Sequence, residues 1–254
     1  MHKLLKLGIG NAKLKNDVVI FDLPAGHSCK FAKHCAESVN PTTGLLNINP
    51  KAKFRCFAAT SELISKAARN KRWHNFELIK EQKSAIKMAK LIIASINADD
   101  KTRVAPKVRI HTSGDFFNQI YFNAWLMVAK AMPHKTFYAY TKSLKFWVAR
   151  LNEIPLNFHL TASKGGKTDS LIDKYNLKNV EVVFSIEEAE NKGLEIDHDD
   201  SHCYDRNCKK YALLIHGVQA AGSFASKSII ALKKQGINGY HRGHVGAGRQ
   251  IKAA

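Results

Sequence analysis

The sequence predicts an α/β domain built as a TIM-like partial (β/α) barrel of about six or seven parallel strands. Short apolar runs rich in β-branched and aromatic residues recur along the chain, and a helical segment follows each of them. This alternation is typical of βα units, which form parallel sheets. So many units in one chain favour a partial barrel, and an open doubly wound sheet is the alternative. The 254 residues suit one such domain, predicted to span residues 1–235.

The first third of the chain contains one predicted strand and two predicted helices. The strand is expected at residues 17–22, where a run of valine, isoleucine and phenylalanine ends shortly before a proline and a glycine. Residues 41–53 are rich in proline, asparagine, glycine and threonine, which predicts a loop. A helix capped by Ser61 is expected over residues 61–70. A longer helix is expected over residues 73–96, where leucines, isoleucines and alanines recur at helical spacing.

After Pro106 the alternation of strand and helix becomes regular. Strands are predicted at residues 108–111, 136–140, 157–161, 180–184 and 211–215. Helices are predicted at residues 117–131, 144–151, 169–175, 187–192 and 224–234. Residues 236–254 combine glycine with basic residues and show no apolar periodicity, which predicts a basic Gly-rich tail.

The charge of the chain favours a polyanionic partner. Forty Lys and Arg residues against 21 Asp and Glu residues leave a net charge of +19. Basic residues concentrate in residues 66–73 and recur at Lys80, Lys83, Lys87 and Lys90. Trp73 and His74 lie among them and are candidate stacking groups for bases. Nucleic acid or a nucleotide is therefore the expected partner, without sequence specificity, because no helix-turn-helix or RNP motif is visible.

The sequence also indicates where the protein works. No run of about 18 apolar residues is present, so no membrane span is predicted. The first residues become polar too quickly for a signal peptide. We therefore expect a cytoplasmic protein.

Five cysteines are too few for a disulfide scaffold in a chain of this length, which leaves metal binding or catalysis. Cys29, Cys35 and Cys56 follow the first predicted strand and are the candidate metal ligands. Thiolates bind both zinc and iron–sulfur clusters. Three of them suit a cluster that keeps one iron open, whereas three buried structural thiols are the alternative without a metal.

The fourth ligand of such a site stays open at this point. The paired C-x2-C motifs that usually bind zinc are absent, so a zinc site would need His27 or His34. Cys203 and Cys208 lie far along the chain and are further candidates for the fourth ligand.

Polar and glycine-rich segments follow the predicted strands, at the ends where parallel βα folds carry their function. Among their residues, the predicted catalytic side chains are His111, Asp115, Lys142 and His216. The predicted cofactor contacts are Ser113, Gly114, Ser163, Lys164, Gly165 and Gly166. The two histidines would exchange protons near neutral pH, and the glycines would offer amides to an anion. Ordinary turns and helix caps are the alternative interpretation.

Six motifs, in order along nearly the whole domain, resemble the phage "gene product 88" family. They occupy residues 23–29, 54–59, 72–76, 109–117, 137–143 and 213–217. The resemblance implies a phage or prophage origin. It also implies a metal site in the cysteine-rich amino-terminal part, which Cys29, Cys35 and Cys56 match.

A looser resemblance is to radical S-adenosylmethionine enzymes. Those partial barrels hold a [4Fe-4S] cluster after the first strand and place a glycine-rich acidic motif after the second, which residues 113–115 resemble. Their cysteines are spaced C-x3-C-x2-C, and the cysteines here are not. The sequence thus predicts an iron–sulfur protein, an enzyme acting on nucleic acid or a nucleotide, with S-adenosylmethionine as a candidate ligand. The alternative is a non-catalytic nucleic-acid-binding protein with a structural iron–sulfur or zinc site.

Overall fold

A sheet of seven strands organises residues 3–237, the part of the chain that the computed structural model describes. The strands of this part are β1 (Gly8–Ile9), β2 (Val18–Phe21), β3 (Ser38–Val39), β4 (Leu46–Asn47), β5 (Lys107–Ile110), β6 (Thr136–Thr141), β7 (Phe158–Ser163), β8 (Asn179–Val183) and β9 (Lys210–Leu214). Its α-helices are α1 (Phe57–Ile64), α2 (Lys66–Glu81), α3 (Ala85–Asn97), α4 (Asp100–Val104), α5 (Gln119–Ala131), α6 (Leu144–Val148), α7 (Ser170–Lys174), α8 (Ile186–Asn191), α9 (Ser201–Tyr204) and α10 (Phe224–Lys234). Most of the predicted Gly-rich tail lies outside the described residues.

The strands follow one another across the sheet in the order β1-β2-β5-β6-β7-β8-β9. Strand β1 pairs antiparallel with β2, and all other neighbours in this sheet are parallel. Strands β3 and β4 form a separate antiparallel pair. The predicted α/β class and all six predicted strands are confirmed.

The predicted barrel is not confirmed, because no ladder within residues 3–237 joins β9 to the other end of the sheet. The order of the parallel strands also never reverses, as it would in a doubly wound sheet. Right-handed crossovers in such an order place the connecting helices on one face of the sheet. On that face Phe21, Ile110 and Phe137 pack with Ile92 of α3 and Trp125 of α5 in the main hydrophobic core.

The opposite face of the sheet is covered by the segment around Leu14 and by the segment that contains the short helix α9. Tyr138 of β6 packs there with Leu14 and with Cys203 of α9. The buried Arg109 of β5 donates from Nε to Asp200 Oδ2 at 2.9 Å, and its guanidinium carbon lies 4.3 Å from the centre of the Tyr140 ring. In a closed barrel this face would point inward, toward the strands on the other side of the barrel. Here a segment just before β9 covers it.

The helices of the first third differ from those predicted. The expected helices over residues 61–70 and 73–96 are wrong in their bounds, because α1, α2 and α3 occupy this region. The Ser65 hydroxyl accepts from the Ala68 amide at 3.1 Å, and the Ser84 hydroxyl accepts from the Lys87 amide at 3.3 Å. Each serine caps a new helix and so divides the region. No helix in the described part is long and apolar enough to cross a membrane.

Candidate metal centre

The three predicted metal ligands come together at the carboxyl end of β2. Cys29 and Cys35 lie in the loop that follows β2, and Cys56 is the N-cap residue of α1. All three are half-buried and free of disulfides. Burial raises the pKa of Cys29 well above its ordinary value, and the charges of Asp115, Cys56 and Cys35 raise it further. The thiols are therefore near enough to repel one another when ionised.

Cys56 lies at the start of a helix. Burial raises the pKa of Cys56 to about 12, and the neighbouring Cys35 raises it too, whereas the amides of Ala59 and Ala58 oppose the rise. Backbone amides in the first turn of a helix favour a negative charge on such a sulfur. Thiolates and not thiols bind a metal, so each of these cysteines would have to lose its proton to act as a ligand.

Glu37 links two of the cysteines and was not predicted from the sequence. Its backbone amide donates to the Cys35 carbonyl at 2.6 Å, and its buried side chain accepts from the Cys56 amide at 2.8 Å through Oε2. The only sequence signal is a carboxylate two residues after Cys35. The role of this carboxylate follows only from the fold, which places the Cys56 amide next to it.

A tight turn holds the residues before Cys29. Gly26 adopts φ 71°, and a Cβ atom there would lie 2.4 Å from the Glu37 carbonyl oxygen. The Ser28 hydroxyl donates to the Pro24 carbonyl at 2.8 Å and accepts from the Asp115 amide at 3.2 Å. The loop after β2 is thus fixed against the loop after β5.

Buried charges lie beneath this turn. Glu62 of α1 accepts from the Ala25 amide at 2.8 Å and from Arg72 at 3.2 Å, both through Oε1. Arg72 Nε also lies 3.8 Å from Asp22 Oδ2, and the Asn75 side chain donates to the Asp22 carbonyl at 3.2 Å. Burial raises the pKa of Glu62, although these donors oppose the rise. Residues 72–76 therefore support the loop after β2, which explains one motif of the sequence.

Asp115, predicted as catalytic, is buried at the carboxyl end of β5. Its Oδ1 accepts from the Phe116 amide at 2.7 Å and from the Thr141 hydroxyl at 2.6 Å. Its Oδ2 accepts from the Lys142 amide at 2.8 Å. Burial raises its pKa, whereas these hydrogen bonds lower it. The carboxylate thus joins the loops after β5 and β6, beside Cys29.

Two predicted cofactor contacts precede Asp115 and hold the same loop. The Ser113 hydroxyl donates to the Leu23 carbonyl at 2.8 Å. Gly114 adopts φ 87°, and a Cβ atom there would lie 2.6 Å from the Ser28 hydroxyl. Both residues therefore lie against the loop after β2.

Lys142, predicted as catalytic, joins the loops after β6 and β7. Its Nζ donates to the Ser163 hydroxyl at 2.5 Å, to the Ser163 carbonyl at 3.1 Å and to the Lys164 carbonyl at 3.0 Å. Lys164 extends its own ammonium to within 3.8 Å of Glu181. The lysine head group is thus held by oxygen atoms of the neighbouring strand end.

The predicted anion site after β7 is a turn closed by a carboxylate. The amides of Gly165 and Gly166 donate to Asp169 at 2.7 and 2.9 Å. The Gly165 carbonyl accepts from the amides of Lys33 and His34, both at 3.1 Å. This turn therefore supports the segment between Cys29 and Cys35, and its amides already have an anionic partner.

The two predicted acid–base histidines are not brought together. His111 adopts φ 67° and lies in the aromatic core, with Nε2 2.8 Å from the Tyr121 hydroxyl, and burial holds its pKa well below the ordinary value. The His216 ring lies 4.8 Å from the ring of Phe57, the residue after Cys56. Burial lowers the pKa of His216 to about 4.

The remaining cysteines lie elsewhere. The Cys203 thiol is buried against the opposite face of the sheet, 3.4 Å from the Thr161 hydroxyl. Cys208 precedes β9 and so lies at the amino edge of the parallel strands, whereas Cys29 follows β2 at the carboxyl edge. The structure therefore gathers three of the five cysteines.

The three thiols are soft donors of the kind that bind zinc or an iron–sulfur cluster. Within residues 3–237, no group of three or more His, Cys, Asp or Glu side chains is arranged to hold one metal ion. Thiolates on a cluster bind separate irons and stand farther apart than the ligands of one ion.

Comparison with known proteins identifies the family. Residues 3–235 match the protein family described as Gene product 88. The chain belongs to this family. The "Gene 88 protein" of Mycobacterium phage L5 is 27% identical over 180 residues, which cover 64% of this chain and 74% of that protein. The "Gene 88 protein" of Mycobacterium phage D29 is 32% identical over 90 residues, which cover 34% and 38%. No solved structure matches.

Two residues predicted to stack on bases are engaged within this Gene product 88 chain. The Trp73 ring packs between His27 and Phe76, with ring centres 4.8 and 5.8 Å away. The His74 Nε2 atom donates to the Leu4 carbonyl at 2.8 Å. Other exposed groups would therefore have to contact a base.

Proposed function

We propose that the protein is an iron–sulfur protein in which Cys29, Cys35 and Cys56 bind a [4Fe-4S] cluster. The observation that carries the proposal is the convergence of these three thiols, from two separate segments, at the carboxyl edge of the parallel sheet. Three protein ligands leave one iron open, because Cys203 and Cys208 lie elsewhere. A cluster bound there supplies electron transfer and one coordination position for a small ligand.

The chain's own residues prepare this place. The amides of Ala58 and Ala59 favour the thiolate of Cys56, and Glu37 holds the segments of Cys35 and Cys56 together. Hydrogen bonds to the segments that carry metal ligands hold those ligands in a fixed orientation. The sequential strand order supports a partial barrel, whose loops at the carboxyl edge would surround the cluster.

Nucleic acid or a nucleotide is the proposed substrate class, and the net charge of +19 supports it. S-adenosylmethionine is a candidate ligand of the open iron. A reducing host cytoplasm is the compartment in which free thiols and such a cluster persist.

A second candidate function has its own supporting observation. Asp115 accepts three hydrogen bonds, two of them from Thr141 and Lys142 at the end of β6, and Lys142 donates three to the end of β7. Side chains used in this way favour a non-catalytic nucleic-acid-binding protein whose iron–sulfur or zinc site is structural.

Anaerobic purification tests the proposal. The expected protein is brown, contains iron and acid-labile sulfide, and absorbs broadly at about 400 nm through charge transfer from thiolate to iron. Colourless protein with stoichiometric zinc and no sulfide would contradict the cluster. Adding S-adenosylmethionine to the reduced protein then separates the two candidates. A changed electron paramagnetic resonance spectrum supports the enzyme, and an unchanged one supports the structural site.

A further inference from the structure

A groove lies next to the loop that carries Cys29. It encloses about 380 Å³, within the range of about 300–1,000 Å³ that is usual for small-molecule sites. One wall is formed by His27 and Lys30 of the cysteine loop. The other walls come from the end of α2, from the residues between α2 and α3, and from the start of α5.

The groove has a cationic rim. Lys30, Lys80 and Lys83 line it, all three are exposed, and no carboxylate is among the lining residues in the described part of the chain. Lys167 adds a further positive charge nearby, because its Nζ donates to the Lys30 carbonyl at 2.9 Å. The carboxylate of Glu77 lies 3.8 Å from the Lys80 ammonium, with both side chains about half exposed to solvent. Such a rim attracts an anion.

The floor of the groove is apolar. Phe76, Met88 and Phe117 line it and are buried, and the rings of the two phenylalanines meet edge to face with centres 5.2 Å apart. Ile120, which is 45% exposed, completes the apolar lining at the start of α5. An inorganic anion would gain nothing from such a floor. A molecule that joins phosphates to a flat apolar body would use both the rim and the floor.

We propose that this groove binds single-stranded nucleic acid, with phosphates on Lys30, Lys80 and Lys83 and an unpaired base against the apolar floor. A duplex keeps its bases stacked inside, so only an unpaired base reaches the floor. The inference rests on the proposed function in taking nucleic acid as the partner, and it locates the strand beside Cys29. It does not depend on the identity of the metal.

The test is binding of labelled single strands of about 16 nucleotides, DNA and RNA, to anaerobically purified full-length protein by fluorescence anisotropy. The groove variant is Lys80→Gln/Lys83→Gln. Its matched control is Lys130→Gln/Lys227→Gln, which removes two exposed lysines of α5 and α10 that do not line the groove. We expect the groove variant to bind about tenfold more weakly and its salt slope to fall by about 0.7 for each lysine. The control should bind like the wild type.

A second pair of variants tests the floor without disturbing the core. Ile120→Asp places a carboxylate in the groove, and Ile86→Asp places one at a position of α3 that is 57% exposed and outside the groove. Loss of binding in the first variant alone supports the proposal. Equal effects of either variant and its control, or binding of duplex as tight as that of single strands, would overturn it.

Iron and sulfide are measured in the same preparations, so that the two proposals fail separately. Wild-type protein that contains the cluster but binds no strand at about 50 mM salt overturns the groove and leaves the cluster standing. Protein without a cluster whose strand binding depends on Lys80 and Lys83 overturns the cluster and supports the groove. Competition by a free nucleoside triphosphate as effective as the strand would replace the strand with a nucleotide and so overturn the proposal.

Discussion

At the scale of single residues, the polar groups at the strand ends mainly join loops to one another. Asp115 accepts from three donors, and Lys142 donates to three oxygen atoms. Their contribution to the site is the fixed position of the neighbouring cysteine loop. A buried carboxylate with this many partners is costly to remove, because each donor left unpaired costs about 1–3 kcal/mol.

Asp115→Ala should therefore lower the free energy of unfolding by at least about 2 kcal/mol, because two buried donors and the part-buried amide of Lys142 lose their acceptor. Urea denaturation followed by circular dichroism measures the change. Asp173→Ala, at an exposed position of α7, is the control and should stay near the wild-type value. An Asp115→Ala protein as stable as the control would show that the carboxylate is free for chemistry.

The lowered pKa of His159 in β7 predicts how the stability of the fold depends on pH. Burial lowers its pKa to about 4, and the positive charges of Arg206 and Lys178 act in the same direction. The unfolded chain binds a proton at the ordinary value of about 6.5, so the stability is fully present above that pH. It is lost progressively as the pH falls from about 6.5 through about 4.

His159→Gln should weaken this acid sensitivity, because the variant binds no proton at that position. The thermal midpoint measured between about pH 7 and pH 4.5 should fall less in the variant than in the wild type. His198→Gln changes an exposed histidine and serves as the control. Parallel curves for His159→Gln and the wild type would contradict the prediction.

At the scale of elements, the strands and the later helices follow from the sequence, and the covered second face of the sheet does not. Runs of β-branched and aromatic residues fix a strand locally, so β2 and β5–β9 were all predicted within one or two residues. The segment of α9 contacts the sheet through Arg109 and Asp200, which are 91 positions apart. No local pattern reports such a contact. Ser84 is a residue type that caps helices, but the apolar residues keep their helical spacing on both sides of it. The pattern therefore predicts one helix where the structure has α2 and α3.

The ion pair between Arg109 and Asp200 is predicted to stabilise the packing of the α9 segment on the sheet. Asp200→Asn alone leaves the buried guanidinium of Arg109 without its carboxylate partner, and such a loss typically costs about 3–5 kcal/mol. Arg109→Met should cost less, because Asp200 keeps Lys13 as a partner at 2.5 Å. The double variant Arg109→Met/Asp200→Asn removes both charges and should be less destabilised than the sum of the single changes. Urea unfolding of the four proteins gives the coupling energy. Strict additivity would show that the pair does not hold this segment on the sheet.

At the scale of the whole molecule, the loops at the carboxyl edge of the parallel sheet come together around the cysteines, as parallel strands require. The three candidate ligands and the neighbouring Asp115 could therefore be predicted from their place after strands. The role of each side chain could not, because the sequence does not show that Asp115, Lys142 and Gly166 already have partners. Glu37 and Glu62 were missed for the same reason, since their partners are distant in sequence.

In the proposed function, Cys29, Cys35 and Cys56 bind a metal cluster and the other two cysteines do not. The most direct test is the iron and acid-labile sulfide content of anaerobically purified cysteine variants. We expect Cys29→Ser, Cys35→Ser and Cys56→Ser each to lose most of both, and the double variant Cys203→Ser/Cys208→Ser to retain the wild-type content. Full iron and sulfide in Cys56→Ser, or their loss in the double variant, would contradict the account.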